Sequence, residues 1–286
     1  MDSHLSSSTL YIVGTPIGNL SDISPRAVTT LREADIIAAE DTRHTIRLLE
    51  HLSISGKKLI SYHDHIEEKR ARELISQLLE KPLNLVLVSD AGTPCISDPG
   101  YSLVAKAHEK NIKVTAIPGA SALTSIVSIS GLPNNRFLFV GFLPTKKQAL
   151  KSEIESWKTM NTSIVCYESP HRIKKTLGLL ATMLPKCHLV IGRELTKMHE
   201  EVFKGNITEC LAWAESHSSL KGEFAIMLAP NSRVDSSEIW PEIMREAQDL
   251  IKKENFSHKD LMQHFSYLDL PKKELYQRLL NLANKI

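Results

Sequence analysis

Polar clusters that each follow an apolar run carry the chemistry of this sequence. Glu40-Asp-Thr-Arg43 sets two acids beside an arginine. Such a group suits a polar or phosphate-bearing substrate, because a guanidinium forks onto oxygen anions. Either Asp41 or Thr42 is also expected to cap the helix that follows. Glu168-Ser-Pro-His-Arg172 is sharper. Ser169 and Pro170 read as the cap and first residue of a helix, but capping does not call for Glu168, His171 or Arg172 around them. Gly192-Arg-Glu-Leu-Thr-Lys197, with His199 beyond it, gathers Arg193, Glu194 and Lys197 after another buried strand. Single members of such a run are solvated about as often as they are functional. Lys221-Gly-Glu-Phe224 brings a base, an acid and a close-approach glycine to the same kind of edge.

One loop organises the rest. Ser89-Asp-Ala-Gly-Thr-Pro-Cys-Ile-Ser-Asp-Pro-Gly100 follows the apolar run Asn84-Leu-Val-Leu-Val88. It is nearly bare of large side chains, so a ligand can approach its backbone. It lies at the carboxyl end of a strand, where open α/β sheets bind ligands, and it is longer than a plain βα turn requires. Asp98-Pro99 reads as the cap and first position of the next helix.

The elements that must hold these clusters alternate. Strands are expected at Leu10–Val13, Ile36–Ala39, Leu59–Tyr62, Asn84–Val88 and Val114–Ile117, each followed by a helical pattern. That alternation predicts an α/β fold with a parallel sheet covered on both faces. Beyond the turn-rich stretch Gly131–Arg136 the pattern resumes with Phe137–Phe142, Ser163–Tyr167, Leu189–Ile191, Glu200–Phe203 and Phe224–Leu228. Fewer clean βαβ units there imply a mixed sheet. From Ser232 only helical patterns remain, with Ser257-His-Lys-Asp260 as a capping box and Pro271 opening the last helix. The expected division is an N-terminal α/β domain over 1–119, a second over 120–231 and a helical appendage over 232–286.

Composition excludes several classes. Apolar residues are 42% and charged residues 24% of the 286, the balance of a folded protein. A net charge of +2 announces no nucleic-acid partner, although a local basic face is compatible with it. Lys146, Lys147 and Lys151, with Lys174 and Lys175, are candidates for such a strip. Four scattered cysteines without a C-x-x-C pair argue against zinc and disulfides and suit a reducing cytoplasm. No signal peptide and no membrane-spanning run is expected. The G-x-G-x-x-G, P-loop and G-x-S-x-G signatures are absent, and Tyr62-His-Asp-His65 is too sparse for a metal site.

Taken together, seven stretches resemble one family. Gly14-Thr-Pro-Ile-Gly-Asn-Leu20, Ala39–Arg43, Ser89–Gly100, Ile117-Pro-Gly-Ala-Ser-Ala122, Glu168–Arg172, Gly192–Lys197 and Lys221–Phe224 stand in the order and spacing of the bacterial ribosomal RNA small-subunit methyltransferase I family. The resemblance runs from about Leu10 to Pro230. It implies two α/β domains of tetrapyrrole-methylase type, S-adenosylmethionine folded into the cleft between them, and a homodimer. It also implies 2′-O-methylation of a cytidine in the decoding region of 16S rRNA, within the 30S subunit. Donor contacts are then expected from Ile17, Val88, Ser89, Asp90 and Thr93, and from Ser121 and Ala122. The second domain is expected to add Tyr167, Glu168, Gly192, Arg193, Gly222 and Glu223. In-line transfer from a sulfonium rests mainly on positioning, with one base for the hydroxyl proton. Glu168 or Lys197 is the expected base, and Asp41, Arg43, His171 and Arg172 are expected to orient the nucleotide. No metal is required. The resemblance further implies that the appendage is helix-turn-helix-like over Ser257–Ala283; its equal numbers of acidic and basic side chains suit packing as well as RNA contact. The rival readings are a methylase of a tetrapyrrole or other small molecule, and a non-enzymatic RNA-binding assembly factor.

Overall fold

Five apolar runs in the first half become strands: β1 (Thr9–Val13), β2 (Ile36–Ala39), β3 (Lys58–Ser61), β4 (Asn84–Val88) and β5 (Lys113–Ile117). The computed structural model describes residues 8–160, 162–230, 236–254, 256–265 and 272–283. The five strands form one parallel sheet in the order β3-β2-β4-β1-β5. Helices α1 (Pro25–Glu33), α2 (Thr42–His51), α3 (Glu67–Glu80) and α4 (Tyr101–Glu109) connect them. Alternate residues of β4 serve opposite faces, as strand geometry dictates. Leu85 and Leu87 pack with Leu74 and Leu103 of α3 and α4, while Val86 and Val88 pack with Leu31 and Leu49 of α1 and α2.

The second half builds a mixed sheet from β6 (Phe137–Phe142), β7 (Ser163–Glu168), β8 (His188–Arg193), β9 (Glu201–Asn206) and β10 (Phe224–Ala229), in the order β6-β7-β10-β8-β9. Only β6 and β7 pair in parallel there; β10 runs antiparallel to both its neighbours, and β9 to β8. One face is covered by α6 (Lys147–Trp157), α7 (Ile173–Met183) and α8 (Ile207–Ser216). The other receives α5 (Ala122–Ser130), whose Ile126 packs with Val165, Val190 and Met227. Ile17 of the β1 loop enters the same cluster, so this core joins the two sheets within one compact unit that ends at Pro230.

A second unit comprises α9 (Ser236–Glu254), α10 (His258–His264) and α11 (Lys272–Ala283) around Trp240, Ile243, Leu261, Phe265 and Leu279. Ser257 and Asp260 form the capping box expected from their spacing. Pro271 lies outside the described residues.

Two helix starts differ from the sequence reading, and both differences concern the site. Helix α4 begins at Tyr101, with Gly100 as its N-cap at φ +144°, and Asp98 does not cap it. The carboxylate of Glu67 on α3 accepts the Gly100 and Ser102 N–H groups instead, each at 3.0 Å. A Cβ at Gly100 would lie 2.5 Å from the Cys95 sulfur, so that sharp entry requires glycine. Likewise α7 begins at Ile173, not at Pro170. Residues 170–172 turn back first, and the Ser169 carbonyl accepts from both the Arg172 and Ile173 N–H groups.

Among the described glycines the closest approach to another backbone is that of Gly119 to Gly14, where a Cβ on Gly119 would stand 2.6 Å from the Gly14 carbonyl oxygen. Backbone cannot yield as a flexible side chain can, so Gly119→Ala is expected to destabilise by about 1–3 kcal/mol. Gly178 lies inside α7, and a Cβ added there would have nothing within 4 Å. As alanine it should instead gain about 0.5–1 kcal/mol. Urea unfolding of the two variants checks the contrast.

Candidate active site

Four loops converge at the carboxyl edge of the parallel sheet. The β1 loop is joined to the β4 loop by an antiparallel bridge: Thr15 N–H donates to Gly92 O at 2.8 Å and Gly92 N–H to Thr15 O at 3.2 Å. Gly14 N–H donates to Ile117 O, which brings in the β5 loop. The β2 loop is tied by an exchange of acids. The Asp90 carboxylate accepts the Asp41 N–H at 2.9 Å, and the Glu40 carboxylate accepts the Asp90 N–H at 3.3 Å. Loops of the mixed sheet meet these from the other side. A Cβ on Gly18 would fall within the Lys197 side chain, and one on Gly141 would lie 2.9 Å from the Ser97 hydroxyl. Backbone strain collects here too, since Cys95, Ser97, Glu194 and Thr196 all hold positive φ, a conformation that non-glycine residues adopt at a cost.

Between these loops lies a cavity of about 320 Å³. The parallel sheet contributes Ile17, Glu40, Asp90, Thr93 and Asp98. Ser121 and Ala122 open α5 at its floor, and the mixed sheet adds Phe142, Tyr167, Glu168, Gly192, Leu195 and Glu223. Among the described residues its lining holds several carboxylates and no lysine, arginine or histidine. The acids crowd one another. Burial raises the Glu40 carboxyl against the hydrogen bond it accepts from Asp90 N–H, and the charges of Asp90, Asp64 and Asp41 raise it further. Burial first, then the charges of Glu40, Asp90 and Asp64, lift Asp98 to about 7, although the Ser89 hydroxyl donates to it.

A model of the tetrapyrrole (corrin/porphyrin) methylases matches residues 9–211. The ribosomal RNA small subunit methyltransferase I of Halalkalibacterium halodurans is 46% identical, over 84% of this chain and 82% of that protein. The protein of the same name from Synechocystis sp. is 43% identical over 96% and 98%. The chain belongs to this methyltransferase family. The fold extends to diphthine synthase, with a TM-score of 0.60 at 18% identity over 78% of this chain and 90% of that one. It extends also to the methyltransferase CobJ, with 0.57 at 16% over 78% and 94%.

Within the methyltransferase fold, the expected donor residues divide. Ile17, Asp90, Thr93, Ser121 and Ala122 line the cavity, as do Tyr167, Glu168, Gly192 and Glu223. Val88 and Ser89 are buried and are not among its lining residues. Gly222, at φ +95°, is pressed against the Glu194 side chain. Arg193 turns away, its Nε donating to Lys221 O and its Nη1 to Glu201. Of the residues expected to orient a nucleotide, Asp41 caps α2 and holds Arg43 in a two-pronged pair at the surface. That pairing, through the Arg43 side chain and N–H, keeps the Asp41 carboxyl well below the usual carboxylate range. His171 is exposed.

The two expected bases are both occupied. The Glu168 side chain is 0% exposed. Its oxygens accept from Arg172 Nε at 2.8 Å and Nη2 at 3.0 Å, from Thr176 Oγ1 at 2.6 Å and from Ser169 N–H at 2.7 Å. Arg172 also donates to Leu143 O at 2.7 Å. This group therefore fastens β7, the turn and α7 together. Lys197 reaches Glu194 at 2.8 Å and Glu223 at 3.0 Å. Burial works to lower its pKa, but the hydrogen bonds and charges of those two acids outweigh it and hold the amine above its ordinary value. A lysine held cationic cannot accept a proton. The basic strip is also divided: Lys175 is exposed, whereas Lys174 donates to His217 O at the end of α8. Sequence reasoning assigned Asp98 to a helix cap and gave Phe142 no role, although both line the cavity. The signal for Asp98 was a loop longer than its turn.

Removing one partner of a buried, fully bonded ion pair strands the other. Glu168→Ala is accordingly expected to destabilise by about 3–5 kcal/mol, whereas Lys197→Met, in a partly exposed pair, should cost about 1 kcal/mol or less. Chemical denaturation of both variants reads the difference.

Proposed function

We propose that this chain transfers the methyl group of S-adenosylmethionine to the 2′-hydroxyl of a cytidine in the decoding region of 16S ribosomal RNA. One observation carries the reading. A cavity at the strand ends of two α/β sheets is lined, among the described residues, by carboxylates, hydroxyls and apolar side chains without a lysine, arginine or histidine, in a chain that matches 82% and 98% of two relatives named as a ribosomal RNA methyltransferase. Such a lining suits a cationic sulfonium and repels a phosphate-bearing dinucleotide, because like charge in a partly desolvated site is costly. Supporting the fold-level comparison, a uroporphyrin-III C-methyltransferase crystallised with S-adenosylhomocysteine aligns with a TM-score of 0.51 at 16% identity, over 77% of this chain and 97% of that one.

In this reading Ile17, Ala122 and Leu195 form the apolar walls of the donor site, and Asp90, Thr93 and Ser121 its polar edge. The donor supplies an activated methyl group. What the protein adds is mainly position: the Thr15–Gly92 bridge fixes loops of the parallel sheet, and the Glu168–Arg172 group fixes β7 to α7 on the other side. The target lies within the 30S subunit, the enzyme acts as a homodimer in the cytoplasm, and the exposed lysines of α6 face the RNA.

The test is methyl transfer from labelled S-adenosylmethionine to 30S subunits from cells lacking this protein, with mass spectrometry of the labelled fragment. The expected result is one added methyl group on a cytidine ribose. Label passing to a tetrapyrrole instead, or calorimetry that detects no donor binding, would overturn the proposal.

A further inference from the structure

The cavity contains five carboxylates among its described residues, and four of them accept from a backbone N–H or pair with a cation. Glu40 accepts the Asp90 N–H, Asp90 accepts the Asp41 N–H, Glu168 is saturated by Arg172, Thr176 and Ser169, and Glu223 pairs with Lys197. Asp98 is the fifth. It is released from the helix it was placed to cap because Glu67 takes over the start of α4. What remains to it is the Ser89 hydroxyl, and it is half-buried at the cavity wall. Across from it, the β6 residue Gly141 abuts Ser97, the neighbour of Asp98. The next residue, Phe142, presents a ring that is 62% exposed yet steadied edge-on by Tyr167 at 5.5 Å. An exposed aromatic face beside a carboxylate is the pair of surfaces that a nucleoside needs, one for its base and one for its ribose.

Resting on the function proposed above, we propose that Asp98 is the catalytic base of the reaction, drawing the proton from the ribose 2′-hydroxyl while Phe142 carries the nucleobase. The 2′-oxygen forms its bond to the methyl carbon as the carbon–sulfur bond breaks. The electron pair of that bond stays on sulfur, which becomes a neutral thioether. The hydroxyl proton passes to Asp98 and from there to water. The groups facing Asp98 suit it to the task. Glu40 and Asp64 are acidic neighbours from two other strand ends and Asp90 one from its own loop, and Cys95 and Tyr167, both raised chiefly by burial, stay neutral beside it. Together they hold its carboxyl near neutrality, where a base combines availability with proton affinity. A sulfonium placed in the same cavity lowers that value by attraction, so donor binding itself discharges a proton and readies the base.

Two measurements test this. With saturating donor and 30S subunits, the wild-type single-turnover rate should rise with pH to a plateau, with its midpoint below the donor-free value of about 7 because the bound sulfonium lowers it. Asp98→Asn should lower the rate by about 10²-fold or more and flatten the profile, with donor affinity unchanged within a few-fold; Asp98→Glu should recover part of the rate. Independently of turnover, calorimetry of S-adenosylmethionine binding near pH 7, repeated in buffers of different ionisation enthalpy, should show proton release from wild type and none from Asp98→Asn. Glu40→Gln removes one of the acidic neighbours and should move the midpoint of the rate profile to lower pH, which keeps the test open if Asp98→Asn fails to fold. An Asp98→Asn enzyme as active as wild type, or one whose loss is fully explained by weaker donor binding, overturns the assignment. Failure of wild type itself to methylate 30S subunits is a different result: it removes the function on which the assignment rests.

Discussion

The structure depends on the closeness with which backbone meets backbone at the ends of β1, β4 and β5. Gly14 and Gly119 touch without side chains between them, and Thr15 and Gly92 bridge as a two-residue antiparallel ladder. These contacts gather loops that are far apart in sequence into one rim. They also leave Ile17 free to enter the core that holds α5 against β7, β8 and β10. The rim therefore belongs to both sheets at once, and a cavity formed there is held from two directions.

Electrostatics at that rim follow from the same crowding. Strand ends in a parallel sheet all point one way, so acids placed just after β2 and β4 become neighbours whatever their separation in the chain. Glu40, Asp90 and Asp98 share a half-buried space with no cation among the described residues that line the cavity. The cations are placed outside it, Arg172 clamped on Glu168, Arg193 on Glu201 and Lys197 between Glu194 and Glu223. Segregation of this kind makes the interior hospitable to a positive ligand and stiffens the shell around it.

Several of the clusters that stand out in the sequence line one cavity, and some of their charged side chains are bound to one another. Glu168 and Arg172 stood out because capping could not explain them. Their explanation is one another, since a four-residue separation across a turn lets the guanidinium fold back on the carboxylate. Asp98 was hidden by a good local argument. Asp-Pro before a helix is a start signal, and nothing local reveals that a carboxylate from α3, about thirty residues earlier in sequence, takes that place.

What the sequence determined by itself was the alternation of strand and helix, the parallel and mixed character of the two sheets, and the loops that bear chemistry. Those follow from hydrophobic period and from glycine and proline placement, which are local properties of a chain. Only the tertiary structure decided which acid caps a helix, which is bound in an ion pair and which faces open space. Those outcomes depend on partners distant in sequence competing for the same donors, and the winner is set by how closely the packed elements bring them together.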